Sequence, residues 1–541
     1  MAVTLEIDHL VVAADRLADG VAYVEQSLGL TLEQILEIPQ GEITLAVAAP
    51  PAFRPFPVLI FDLPDNRKNV DALLDQGIDA IKQGGYSLEK ETIKGTEVEI
   101  FEKGIGGRGP DRIVRFIRDQ TLVITPNKRI AERILELWSG AKEDTILDNQ
   151  GFKTIATRCE MGEDTKAHIM WFVDPIGIVK SFARGNVGAV AGLAILPAIG
   201  LDGFKGIGGS VLLPESEFEA VTHTHVYLEP PRDGVLEMIT LKDGVSQPQD
   251  WVPSDVINYI NGHVDVQETY TILKDLVDSF QGEGTVGGFV KSRMSEELGI
   301  DVEQDFIAQL EGRITLIQVY EKPARLNSQA SVLALKMKKR ERFEKTFETL
   351  MEDRFGENLE AANYKGQTVY RVAFDDDEID TENEERARRQ RFARRTRPQP
   401  SFALLDDYFI LADRPSMIEK LINTKTDPEL ALKNAIDFKK TLEKINRQPN
   451  GRSASMVTFS RPAEGLRLVY ELLKSDDART FLADQREDNP FFRAIDDAMK
   501  ENPLPPFSKL EKYFTTSGSV VTNEESGIHQ MSFTLRLDEE E

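Results

Sequence analysis

The chain repeats itself. The run from Leu28, LGLTLEQILEIPQGEITL, aligns with the run from Leu298, LGIDVEQDFIAQLEGRITL, at an offset of 298 − 28 = 270 that becomes 312 − 41 = 271 at the glycine before each ITL. Further landmarks follow in the same order. Val58-Leu59-Ile60-Phe61 parallels Val332-Leu333-Ala334-Leu335, each followed by a helical stretch, 69–81 and 342–351. Lys94-Gly95 with a strand at 98–101 parallels Lys365-Gly366 with a strand at 369–372. RDQTLVIT (118–125) then parallels LDDYFILA (405–412), where the offset has grown to 406 − 119 = 287. Phe152 answers Phe438, the strand around Phe172 answers that around Phe459, and Gly209-Ser210-Val211 answers Gly518-Ser519-Val520. A collinear series of this kind is hard to obtain by chance. The chain is therefore read as two homologous halves, 1–246 and 247–541, with the Pro-containing stretch Gly244 to Asp255 (GVSQPQDWVPSD) as the joint. No regular period of roughly 20–50 residues is present, which argues against a solenoid or propeller.

The growth of the offset locates an insertion in the second half. Asp375 to Glu385 holds eight acidic residues in eleven, and Arg386 to Arg397 holds seven arginines in twelve. Neither block has apolar periodicity that would bury a face, so 375–397 is expected to be a charged, disordered loop whose two blocks can pair with each other. An anionic partner for the arginine run, such as RNA or a lipid head group, is the alternative.

Within the first half, ITLAVAA, FPVLIFDL, EVEIFEK, IVRFIRD and TLVITP carry β-branched and aromatic residues at period two and read as strands. NVDALLDQGIDAIKQ has helical apolar spacing. NKRIAERILELW opens a helix after Pro126, with Asn127 as its N-cap. Strands come in runs of two or three joined by short turns, so pairing should be mainly antiparallel. The expected fold class is α+β: two homologous halves, each an antiparallel sheet with packed helices, related by a pseudo-twofold.

Charge and cysteine content narrow the partners. With 65 Lys+Arg against 91 Asp+Glu the net charge is −26, which repels phosphate backbones and argues against general nucleic-acid binding. The single cysteine, Cys159, can make no intrachain disulfide and no Cys-rich metal site. The uncharged stretch Gly185 to Leu201 is rich in glycine and broken by Pro197, so it reads as a buried or loosely packed connector rather than a membrane span. The start, MAVTLEIDHLVVAADRL, lacks a basic n-region and an unbroken apolar h-region. That gives a cytoplasmic expectation, with a periplasmic or envelope location as the alternative if the start is truncated.

Few residues invite chemistry. His223 and His225 lie in VTHTHVYL, where a strand would put both imidazoles on one face, as metal partners or as half-exposed histidines of a sheet edge. The glycine-rich runs GIGGRG (104–109) and GFKGIGG (203–209) lack the lysine and the strand-to-helix context of a phosphate loop. The second reads as a turn into the strand SVLL. No nucleophile elbow, HExxH or Cys–His pairing is present, so no catalytic residue is assigned and no cofactor is implied.

Two resemblances bear on this. IDHLVVAADRLADGVAYVEQSLGL resembles the opening of glyoxalase-like vicinal-oxygen-chelate proteins at Asp8, His9, Val11 and Leu28-Gly29, which implies His9 as a metal ligand. Such a site needs further ligands from other strands. No histidine occurs between His9 and His168, which leaves Glu97, Glu99 or Glu102 as candidates. Over most of the chain, LGLTLEQILEIPQGEITLAV, YKGQTVY, SFALLDDYFILAD, PPRDGVLEMI followed by WVPSDV, and LGIDVEQDFIAQL are similar in order to an uncharacterised bacterial family of large duplicated proteins, a domain of unknown function. That resemblance implies a fold and no activity, cofactor or substrate. The expectation is a non-catalytic binding or structural protein with an unknown protein or small-molecule partner. The alternatives are a glyoxalase-like metal enzyme using His9, or an amphiphile-binding or membrane-peripheral protein using 185–201. The oligomeric state is not legible.

Overall fold

The computed structural model describes residues 2–5, 31, 41–49, 55–65, 67–104, 110–142, 145–159, 167–183, 187–214, 216–322, 327–373, 397–448, 453–475, 493 and 505–537. The chain divides into two compact units. The first comprises Met1–Ala198, Asp202–Pro214 and Thr222–Pro231; the second comprises Ile199–Leu201, Glu215–Val221 and Arg232–Glu541. His9 and the charged insertion from Asp375 to residue 396 lie outside the described residues, as does the loop 105–109.

The first unit is built on β1 (Ala2–Leu5), β2 (Ile43–Ala48), β3 (Phe56–Asp62), β4 (Tyr86–Ile93), β5 (Thr96–Lys103), β6 (Arg112–Arg118), β7 (Thr121–Thr125), β8 (Ile169–Val173), β9 (Phe204–Leu212) and, from Thr222 on, β10 (Phe218–Leu228). Their order across the sheet is β4-β5-β6-β7-β3-β2-β1-β8-β9, antiparallel throughout, with β10 beside β9. The second unit uses β11 (Val256–His263), β12 (Leu310–Tyr320), β13 (Gln329–Met337), β14 (Leu359–Tyr364), β15 (Gln367–Val372), β16 (Ser401–Leu405), β17 (Tyr408–Ala412), β18 (Met456–Ser460), β19 (Ser517–Glu524) and β20 (Gly527–Leu535). Its antiparallel order is β14-β15-β16-β17-β13-β12-β11-β18-β19-β20. Adding ten to each strand number converts one order into the other.

Register agrees as well as order. Leu45 faces Leu59 as Leu316 faces Leu333, and Leu59 faces Ile124 as Leu333 faces Leu411. The turn residues Lys94 and Lys365 both have positive φ, 48° and 49°, each followed by a glycine. One sequence correspondence shifts by a residue. Phe172 pairs with Gly208 and Phe459 with Gly518, so Gly208, rather than Gly209, answers Gly518.

Helices lie between the strands of both units. In the first unit α1 (Lys68–Gln83), α2 (Lys128–Trp138), α3 (Gln150–Cys159), α4 (Pro175–Ala183) and α5 (Val187–Leu193) follow the strands. The second has α6 (Val266–Gln281), α7 (Arg340–Glu348), α8 (Pro415–Thr426), α9 (Ile436–Arg447) and α10 (Pro462–Lys474). Asn127 caps α2 by accepting from Arg129 N at 2.9 Å, and proline opens α4, α8 and α10, where its missing N–H costs nothing. Ile130, Ala131 and Leu135 of α2 pack on Val98, Val114, Phe116 and Val123 of the sheet. Each of these buried Ile, Leu, Val and Phe side chains is worth about 1.5–3 kcal/mol against exposure. In the second unit Phe343 and Phe347 of α7 close on Tyr370 and Leu404, with Phe409 packed against them.

The strongest shared feature is a helix resting on a glycine of the sheet. Phe152 of α3 meets Phe172 edge-on at 5.6 Å, and Phe438 of α9 meets Phe459 edge-on at 5.2 Å. A Cβ on Gly208 would fall 2.8 Å from Ile155 Cγ2, and one on Gly518 would fall 2.7 Å from Thr441 Cγ2. Each glycine thus leaves room for the helix above it.

Two expectations are corrected and a third is narrowed. The run 203–209 is not a turn: from Phe204 it is strand β9, and its glycines make room for neighbours, a Cβ on Gly206 falling 2.6 Å from the Phe172 ring and one on Gly209 2.1 Å from the His223 carbonyl. Of the two forms expected for the connector 185–201, the described residues take the loosely packed rather than the buried one: α5 ends at Leu193, turns follow, and Val190 and Ile195 are exposed. Among the described residues no helix is long and apolar enough to cross a membrane. Gly244–Asp255 is packed within the second unit rather than spanning a joint. Trp251 is fully buried against Tyr408 at 5.2 Å, and Arg461, which holds Asp437 at 2.7 Å, donates to the Ser254 carbonyl.

Phe459→Ala and Phe172→Ala should each cost about 3–5 kcal/mol in urea unfolding, and Gly518→Ala about 1–3 kcal/mol. Losses under about 1 kcal/mol at all three sites would contradict this packing.

Candidate functional site

Strand β11 ends at His263, and α6 begins after Asp265, whose side chain accepts from Glu268 N at 3.0 Å. Opposite this corner β12 carries a bulge, the register with β13 slipping between Leu310 and Ile314. Gly312 makes the bulge with φ +109°, and a Cβ there would fall 2.0 Å from the Val264 carbonyl, so only glycine fits. The displaced ladder opens a cleft of about 320 Å³ in the second unit, at the small end of ligand cavities. Its charged lining is Lys242, Asp243, Asp265, Glu311, Arg313 and Lys338.

Arg313 is fixed from behind. Its Nε donates to Asn261 Oδ1 at 2.7 Å and its Nη2 to the Gln247 carbonyl. Asn261 in turn accepts from Thr315 Oγ1 at 3.3 Å and donates to the Val245 carbonyl at 2.8 Å, while Gln249 Nε2 donates to Thr315 Oγ1 at 2.7 Å. Asn261, Thr315 and Gln249 are all buried, so the guanidinium stands on a dry polar chain that sets its position. All its bonded acceptors are neutral.

The acidic liners are each engaged. Asp243 accepts from Ser455 Oγ at 3.0 Å, Glu311 is held by Lys336 at 2.9 Å, and Asp265 caps α6 with Lys242 at 3.9 Å. Lys338 donates only to the Ala308 carbonyl, at 3.1 Å. Among the described residues, neither Arg313 nor Lys338 has a carboxylate within ion-pair distance. His263 lies on the same rim with Gly244 against its ring, a Cβ there falling 2.2 Å from the imidazole. Burial, helped by the Arg313 charge, holds His263 below its ordinary value, so it is neutral at pH 7.

The residues singled out by sequence fall elsewhere. His223 and His225 share the buried face of β10, 7% and 0% exposed, rather than standing half-exposed on an edge. Burial, and secondarily the charge of Arg158, pulls His223 down to about 4. Glu97, Glu99 and Glu102 are tied into cross-strand ion pairs with Lys90, Arg115 and Arg112. Burial opposes ionisation of Glu99, but hydrogen bonds from Arg115 and Lys90 prevail and lower its value. Among the described residues no three His, Cys, Asp or Glu side chains are placed to share a metal.

The cleft residues were missed, although the repeat contained a signal for one of them. At an offset of 271, Glu42 stands in the first unit where Arg313 stands in the second, a charge reversal directly after Gly41 and Gly312. Lys338 and Lys242 carry no comparable mark.

Residues 288–452 match the model of a family described as a protein of unknown function (DUF3352), so over that span the chain is similar to an uncharacterised family. No curated protein and no solved structure matches the chain.

His223 gives a pH prediction. Its folded value lies below the ordinary 6.5, so the folded state binds fewer protons than the unfolded one, and stability is full above pH 6.5 and falls as pH drops toward about 4. The loss from this group is on the order of 3 kcal/mol. Urea unfolding of wild type and His223→Gln between pH 7 and 4 should show a shallower decline in the variant; parallel curves would contradict the assignment.

Proposed function

We propose that the protein is a non-catalytic binding protein for a small-molecule ligand, made by duplication of one α+β unit, with its ligand site in the cleft between β11, β12 and the start of α6. The observation that carries this reading is the guanidinium of Arg313, held by a buried polar chain and facing a cleft without a carboxylate partner. Buried hydrogen-bond networks behind an exposed charged group are the usual means of fixing a binding group in place. The matching strand orders and registers support duplication, and the reversal at Glu42 supports a site confined to the second copy. No reactive constellation accompanies the cleft among the described residues, which favours binding over turnover.

A thermal-shift screen of the full chain against small metabolites of anionic, cationic and neutral classes tests the reading, with native mass spectrometry for stoichiometry. The expected result is one ligand per chain and a Tm that rises with its concentration. A screen in which no compound of any class raises Tm would overturn it.

A further inference from the structure

We infer that the cleft binds a small oxyanion, a carboxylate or phosphate head group, through the Arg313 guanidinium with Lys338 as the second cation. This rests on the binding reading above and assigns its ligand chemistry.

Charge accounting leads to it. Of the three acidic liners, Glu311 is compensated by Lys336 and Asp265 by the α6 amides with Lys242, while Asp243 accepts from the neutral Ser455 hydroxyl at 3.0 Å. Arg313 and Lys338 reach only neutral acceptors. A half-buried cation without a counter-charge is costly, and in a chain of net charge −26 nearby carboxylates are abundant, yet none approaches within ion-pair distance among the described residues. Of the five guanidinium N–H donors, Asn261 and Gln247 take two and the Tyr259 hydroxyl lies beside the group; a guanidinium's remaining donors suit the two oxygens of a carboxylate or phosphate.

The surroundings add to the field. Lys339 and Arg340 directly follow Lys338 at the start of α7; Lys339 makes no side-chain cap bond, while Arg340 pairs with Glu344 at 3.6 Å and Glu341 stands in the same first turn. Cations at a helix N-terminus oppose the helix dipole, and an anion nearby relieves that opposition. The first copy has Glu42 at the equivalent of Arg313, which would repel the same ligand.

The test is calorimetric titration of the full chain at low salt with succinate and, separately, with inorganic phosphate. Either probe should bind, and the one that binds more tightly identifies the head group. Arg313→Met should weaken binding about tenfold or more. That substitution also strips Asn261 and Gln247 of a donor, so Lys338→Met, at an exposed side chain with one carbonyl contact, serves as the second variant and should weaken binding about threefold with Tm unchanged. The inference is overturned if neither probe binds, or if binding survives both substitutions. A neutral or cationic compound from the screen that binds both variants as well as wild type would refute the oxyanion while leaving the binding reading intact; absence of any binder removes both.

Discussion

Each unit depends on a place where a side chain is missing. At Gly208 and Gly518 the strand presents bare backbone to α3 and α9, and Ile155 and Thr441 settle into the space a Cβ would fill. That approach brings Phe152 onto Phe172 and Phe438 onto Phe459, edge to face, and fixes the helix over the central strands. From Phe459 the ladder runs through Tyr259 to Ile317 and on to Val332, so the position of β11, and with it the corner at His263, follows from that contact. Arg461 strengthens the second unit by lying 4.9 Å over the Phe459 ring while pairing with Asp437 at the start of α9.

The scaffold was largely legible in the sequence because period-two patterning and turn chemistry are local. FPVLIFDL, TLVITP and the Asn127 cap fell where their residues indicated, and Lys94-Gly95 and Lys365-Gly366 gave matching tight turns. Where glycine serves close approach instead of turning, local reading failed: GFKGIGG looked like a turn and is strand, since Phe172 and Trp171 of β8 and His223 of β10 crowd it from the two neighbouring strands. The same limit misplaced Gly209 against Gly518 by one residue. The buried state of His223 and His225 was likewise a property of packing rather than of VTHTHVYL itself.

Matching strand order in the two units does not bring matching side chains with it. Gly41 and Gly312 share a place in the repeat, yet the next residue is Glu42 in one and Arg313 in the other. In the second unit Asn261, Thr315 and Gln249 convert that arginine into a fixed group, because the GVSQPQ segment, read as part of a joint, folds back to supply Val245, Gln247 and Gln249 around it. A pattern search finds neither the network nor its orientation. What a sequence can offer is the asymmetry itself, a charge reversed at an otherwise matching position.

The central claim is that one scaffold occurs twice and binds a ligand only in its second copy. Hydrogen exchange of the full chain, with and without the small molecule that most raises its Tm, compares the two copies directly. The account predicts slowed amide exchange at 263–268 and 311–315 on ligand addition, with 41–45 of the first copy unchanged. Equal protection of both segments, or protection confined to residues outside 263–268 and 311–315, would contradict it.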